Sequence, residues 1–326
     1  WQGSEKTRLP RETGLTDIPW PQLDQPRPAD ALNPASLGSL LRLCAGITAW
    51  KQYGPSRWSL RAHPSSGNLH PTETWLISNA LPGLADGLHH YQPFDHSLER
   101  RAWDDQTDAT PAIWFGYSSI AWREAWKYGE RAFRYCQLDM GHVLAALAYA
   151  AALHGWQARL LNLAPETTAS LLGVDRAADF TGVEAEEAEV IVALSPNGET
   201  APLPAEWTHW AGRPSLLDPK PMYDWPVIED VALATRGPLP PMPSAAPTWG
   251  RTDIVADSPF AAAEVILKRR SAQAFDGKSV LPHALFRRLL AAMLCRGPQQ
   301  HWPICSRRCR RCLPGPRRIR NCRSTN

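Results

Sequence analysis

Apolar positions along the chain follow two different periods, and each period predicts a different element. From Ser36 onward, Leu37, Leu40, Leu41, Leu43 and Ile47 recur at helical spacing, which predicts one buried helix face. Thr72–Ser78 (TETWLIS), His89–Pro93 and Ala112–Ser118 (AIWFGYS) are short and rich in β-branched and aromatic residues, as strands are. Glu124–Trp156 carries two long helical patterns, the second nearly all apolar and so expected at the centre of the core. Glu189–Ser195 (EVIVALS) reads as a buried strand stopped by the turn Pro196-Asn197-Gly198. Tyr53–Pro71 is turn-rich, residues 1–35 are polar and Pro-rich without sustained periodicity, and 196–258 has the composition of a linker. Helical patterns resume at Phe260–Lys268 and Pro282–Leu294. The last opens Pro282-x2-Leu285-x3-Leu289-Leu290, much as the first opens Pro34-x2-Leu37-x2-Leu40-Leu41, a sign of an internal repeat. Strands and helices without regular βαβ alternation predict an α+β class.

Composition changes this picture in one respect. The chain has 326 residues, 44% of them hydrophobic, enough for a core and against wholesale disorder. Its longest apolar stretch, Val143–Leu153, is short of the roughly 18–20 residues of a membrane helix, and no signal-peptide pattern opens the sequence. A cytoplasmic protein with no membrane partner is expected. The net charge of +3 is misleading, because residues 295–326 hold nine Arg and no acid, which leaves 1–294 at −6. Five of the seven Cys fall in the same tail. There Cys305-x3-Cys309-x2-Cys312-x9-Cys322, with His301, invites a zinc site, and the Arg clusters invite nucleic acid. The tail has no apolar pattern for a small module to bury, interrupts a helix abruptly and has the composition of an out-of-frame GC-rich message. It is read as an aberrant end, with neither a metal site nor a nucleic-acid partner expected.

Candidate chemistry concentrates in two stretches. In Arg57-x3-Arg61-Ala62-His63-Pro64-Ser65-Ser66-Gly67-Asn68-Leu69-His70-Pro71, small residues let backbone N–H groups approach an anionic or planar ligand, and Arg adds charge-assisted hydrogen bonds. An ordinary surface turn accounts for the same residues. No P-loop or Rossmann fingerprint accompanies them. The second stretch is Trp122–Cys136, with Lys127, Arg131 and Arg134 on one helical stripe and Glu130–Arg134 placed for an i,i+4 pair. Lys127 beside Tyr128 suits proton transfer if both are desolvated, whereas a solvated basic face is the plainer account.

The runs SRWSLRAHPSSGNLHPTETWLI (56–77) and SSIAWREAWKYGERAFRYCQLDMGHVLAALAYAAALHGW (118–156) resemble the SagB/ThcOx-type dehydrogenases of the FMN-dependent nitroreductase superfamily. The likeness covers about residues 36–200. It implies an α+β, nitroreductase-like fold around FMN, with the flavin between two such units. Arg61 and the turn Pro64, Ser65, Ser66, Gly67 and Asn68 would lie along the flavin and its ribityl phosphate. Lys127 and Tyr128 match the pair that azoline-oxidising relatives use to handle a proton while hydride passes to flavin. Lys268-Arg269-Arg270-Ser271 resembles the opening of a second unit, with Arg269, Arg270 and Ser271 on the flavin phosphate and Gln273 where many relatives carry Arg.

The resemblance divides the chain into an extended arm (1–35), a nitroreductase-like domain (36–200), a Pro-rich linker (201–257), a truncated second unit (258–294) and the aberrant tail (295–326). It implies a small-molecule or peptide substrate, and is compatible with a homodimer or a partner in a modification complex. The alternative is a non-catalytic module of the same fold that binds a peptide or partner.

Overall fold

The computed structural model describes residues 1–236 and 260–293, apart from 13, 16, 24, 106–109 and 273. The tail at 295–326, the departure at Gln273 and residues 237–257 of the Pro-rich segment lie outside the described residues.

Strands β1 (Glu5–Arg8), β2 (Ile47–Tyr53), β3 (Ser56–Arg61), β4 (Thr72–Asn79), β5 (Gly87–Gln92), β6 (Ser97–Trp103), β7 (Ala112–Ser119), β8 (Gln157–Leu160), β9 (Glu187–Ser195) and β10 (His209–Trp210) form two sheets. The larger runs β1-β6-β5-β4-β7-β9-β8, with β10 adding to β6; all of its pairings are antiparallel. The smaller is the hairpin β2–β3. The helices are α1 (Pro34–Cys44), α2 (Trp122–Tyr128), α3 (Ala132–Leu153), α4 (Pro165–Leu172), α5 (Pro226–Thr235), α6 (Ala262–Lys268) and α7 (His283–Met293).

Alternation along the central strands gives the sheet two apolar faces. Leu76, Phe115, Tyr117 and Val192 point to one side, into the cluster built with α1 and α3. Trp75, Ile77, Trp114 and Ile191 point to the other, where Leu172 of α4, Trp1, Phe180, Trp207 and Trp210 cover them. Each such side chain, removed from water, contributes about 2–3 kcal/mol. Trp122–Leu153 is a helical stretch long and apolar enough to cross a membrane, but 61% of its apolar 18-residue window is buried in the fold. The layers are thus helix, sheet, and helix with loop.

Local signals explain the boundaries. Asn33 caps α1, its Oδ1 accepting from the Ala35 and Ser36 amides at 2.9 and 3.1 Å, while the Asn33 amide donates to Ser36 Oγ at 3.1 Å. The helix stops at Cys44, so Ile47, expected on its face, opens β2 instead. The turn-rich Tyr53–Pro71 contains β3, which pairs with β2 around a two-residue Gly54-Pro55 link. Residues 1–35 do not stand apart. Their β1 takes the open edge of β6 along Ser97–Arg100, and Leu9 and Leu23 enter the core. β10, inside the expected linker, covers the same edge along Ala102–Trp103. The first helical pattern is short, since α2 ends at Gly129 (φ 58°, ψ −139°) and a 3-10 turn over Gly129–Arg131 precedes α3. Lys127, Arg131 and Arg134 therefore do not share one helix. Glu130 lies on that 3-10 turn, and the expected Glu130–Arg134 pair does not form. α7 repeats the sequence pattern of α1 in a different setting: Leu37, Leu40 and Leu41 are wholly buried, whereas Leu285, Leu289 and Leu290 are exposed.

Candidate functional site

Residues 61–70 make one tightly tied turn between β3 and β4. The Ser66 amide donates to Asp139 Oδ1 and Oδ2 at 2.9 and 3.1 Å, and Ser66 Oγ donates to Oδ1 at 2.8 Å. Asp139, in mid-α3, is itself buried. The His70 amide donates to Ser65 Oγ at 2.8 Å, and Asn68 Nδ2 donates to the Ser59 carbonyl at 2.9 Å. These bonds hold Gly67, Asn68 and His70 at φ of 58°, 62° and 51°, a region costly for residues with side chains. Ser65, Ser66 and Asn68 thus use their side chains within the protein. Outward, the turn offers the backbone of exposed Gly67. Asp139→Ala removes three acceptor contacts at once and is expected to cost about 2–3 kcal/mol, read as a lower urea midpoint.

Gly67 lies against the end of α2. A Cβ at this position would stand 2.6 Å from Tyr128 Oη and 2.9 Å from Lys127 Nζ. The two stretches singled out in the sequence therefore meet at one point. Tyr128 is half-buried with its ring 4.4 Å from that of Tyr135, but Lys127 is exposed, so the pair is only partly desolvated.

At the other end of the turn, Arg61 is deeply set. Burial lowers its guanidinium to about 10, despite the nearby Glu73 charge. It makes no hydrogen bond or ion pair among the described residues. Here the segment after α6 returns. The Ala262 amide donates to the Ile18 carbonyl at 2.7 Å and fixes the start of α6, and beyond its end Arg269 Nε reaches the Ala62 carbonyl at 3.4 Å. Arg270 donates to Thr48 Oγ1 at 3.3 Å and to the Thr48 carbonyl at 3.2 Å. Neither guanidinium meets an acid among the described residues, and Ser271 is exposed beyond them. Burial and the Arg61 charge lower His63 to about 3 and depress His70 further, so both imidazoles are neutral.

A chain of buried charges backs the turn. Arg123 Nη1 forms an ion pair with Glu73 Oε1 at 2.5 Å and donates to the His70 carbonyl at 2.7 Å. His90 bridges Glu73 (Nε2 to Oε2, 2.7 Å) and Glu99 (Nδ1 to Oε2, 3.0 Å). Burial opposes charge on these groups, but the mutual bonds outweigh it, raising His90 and lowering Glu73 and Glu99. Glu124 differs. It is fully buried at the start of α2, both its oxygens lack a hydrogen-bond partner among the described residues, and burial with the Asp139 charge raises it to about 8.

No protein-family model matches the sequence, and no curated protein does. Solved structures do match. A protein of Anabaena variabilis described as a nitroreductase superposes over 75% of this chain and 54% of its own, with a TM-score of 0.52 at 22% identity. The fold is that of the nitroreductases. The chain spans about half the length of that relative. Weaker matches are a Ralstonia eutropha protein also described as a nitroreductase (TM-score 0.42, 15% identity, 62% of this chain, 93% of that one) and the E. coli microcin synthetase McbBCD complex with truncated pro-MccB17 bound (0.40, 17%, 59%, 70%).

On this nitroreductase-like fold, the sequence reading missed Asp139, Glu124 and the Arg123–Glu73–His90–Glu99 chain. Asp139 stands within the second motif, three residues past Cys136, and spacing alone does not show that it reaches Ser66. Glu73, His90 and Glu99 come from three adjacent strands, so only the register of β4, β5 and β6 aligns them.

Proposed function

We propose that this chain is an FMN-dependent oxidoreductase of the SagB/ThcOx type that dehydrogenates a thiazoline or oxazoline ring in a modified peptide. The observation that carries the reading is the gathering of three guanidiniums, none in an ion pair among the described residues, at one end of a turn whose other end lies under Lys127 and Tyr128: Arg61 and Arg269, whose charges both act on His63 and His70, and Arg270 on Thr48. These residues fit FMN. The guanidiniums suit a phosphate through charge-assisted hydrogen bonds, and the backbone at Gly67 suits the approach of a planar ring. When bound, the flavin supplies acceptance of a hydride.

The chain's own residues do the remainder. Asp139 and the Ser59 carbonyl fix the turn through Ser66 and Asn68. Tyr128 Oη and Lys127 Nζ both lie against Gly67, and one of them, in its unprotonated form, would take the proton that leaves a substrate ring carbon. The Arg123–Glu73–His90–Glu99 chain holds the start of α2 and the end of the turn in register.

Purified protein is expected to be yellow. Arg61→Ala, or Arg269→Ala with Arg270→Ala, is expected to weaken FMN binding at least about tenfold, roughly 1.4 kcal/mol. Lys127→Ala and Tyr128→Phe are expected to keep the flavin and slow turnover by about 10²-fold. Colourless protein that ignores added FMN contradicts the assignment.

A further inference from the structure

The hairpin β2–β3 carries exposed aromatic rings that the flavin site does not use. Trp50 is 42% exposed, Tyr53 82% and Trp58 37%, and Phe94, from the β5–β6 turn, is 66% exposed with its ring centroid 6.0 Å from that of Trp50. Arg57 lies over Trp50 at 4.4 Å. Register places Trp50 opposite Ser59 and Gln52 opposite Arg57, so these four share one face. Alternation along β3 sets Arg57, Ser59 and Arg61 in line on that face. A basic and aromatic track therefore runs from the hairpin tip to Arg61, at the edge of the proposed site.

Charge defines what fits the track. Residues 47–72 contain no Asp or Glu, and Arg57 and Arg61 lie on the track face while Lys51 lies on the opposite one, in a chain whose first 294 residues total −6. The hairpin strands pair with no other strand among the described residues; Asn68 takes the Ser59 carbonyl and Arg270 the Thr48 carbonyl, so the backbone groups left for an added extended segment lie toward the hairpin tip. We infer that this hairpin face docks an acidic peptide in extended conformation. Its carboxylates meet Arg57, its apolar side chains meet Trp50 and Phe94, and its length leads toward Arg61. A nucleic acid fits less well, because few cations line the track and the acidic body repels a long polyanion. The inference rests on the proposed function for its biological sense, since it names the substrate class of that site. Its test reads binding alone.

The test is fluorescence anisotropy on the full chain, with a fluorescein-labelled peptide of alternating Glu and Phe, its Lys–Phe counterpart, and labelled oligo(dT). The Glu–Phe peptide is expected to bind saturably and to weaken with added salt, and the Lys–Phe peptide is not expected to bind. Arg57→Glu and Trp50→Ala are each expected to weaken Glu–Phe binding at least about tenfold. Both positions are exposed, and FMN absorbance and melting temperature are expected to stay as in the wild type. Equal binding of both peptides, tighter binding of oligo(dT), or unchanged affinity in both variants overturns the inference. A chain that takes FMN but not the Glu–Phe peptide loses this inference alone; one that binds the peptide but not FMN loses the flavin reading alone.

Discussion

Glu124→Gln is expected to abolish the loss of stability that Glu124 imposes between pH 4.5 and about 8, the interval over which its titration is displaced. Below that interval the folded and unfolded states both hold the proton, and the side chain makes no difference. Through the interval the unfolded chain ionises freely. The folded protein must keep a neutral acid among Asp139, Lys127 and apolar groups, so stability falls as pH rises. Above about 8 the whole contribution is lost, on the order of 3 kcal/mol. Glutamine keeps the neutral shape at every pH. Melting curves of wild type and variant are expected to coincide near pH 4 and to separate near pH 9, with the variant higher. Parallel curves across the range rule out a buried neutral Glu124. Glu73 and Glu99 work in the opposite sense, since carboxyls held low in the fold lose their contribution as pH falls.

Gly67→Ala is expected to damage the site more than any other single methyl group. The left-handed φ of 58° costs a non-glycine residue about 1–2 kcal/mol. The added Cβ would also stand within 3 Å of Tyr128 Oη and Lys127 Nζ, so the ends of both side chains must shift away from the turn. If they take the substrate proton, displacement by about an ångström costs on the order of 10²-fold in turnover. Gly54→Ala is the control. Its φ is 54°, but nothing lies within 4 Å of the new Cβ, so it is expected to show the strain without the loss of turnover. Equal turnover in the two variants separates Lys127 and Tyr128 from the chemistry.

The elements that the sequence makes legible are those whose environment is uniform. β4, β7 and β9 sit at the centre of the sheet, and each carries a compact, largely apolar buried stretch (Trp75–Ile77, Ala112–Tyr117 and Val190–Leu194) that reads as a strand. β6 does not, because SLERRAW places Glu99 and Arg101 at buried positions. Those charges are tolerated only because partners arrive from elsewhere. His90 meets Glu99, while Trp1, Trp210 and Asp179 surround Arg101. The hairpin β2–β3 was hidden for a related reason: half of it faces water, and its Gly, Pro and Ser residues read as turns. Within the site, the two motifs were visible as residue types, but their contact at Gly67 is a property of the fold. The same holds for Arg269 and Arg270, which reach the Ala62 carbonyl and Thr48 because α6 docks on the segment before α1.

The proposed function makes Arg61, Arg269, Arg270 and the turn through Gly67 one flavin site. Calorimetric titration of the chain with FMN tests it most directly, with Arg61→Ala alongside. Saturable binding by the wild type, weakened at least about tenfold in the variant, is the expected result. Absence of saturable binding by the wild type, or equal affinity in the two proteins, contradicts the account.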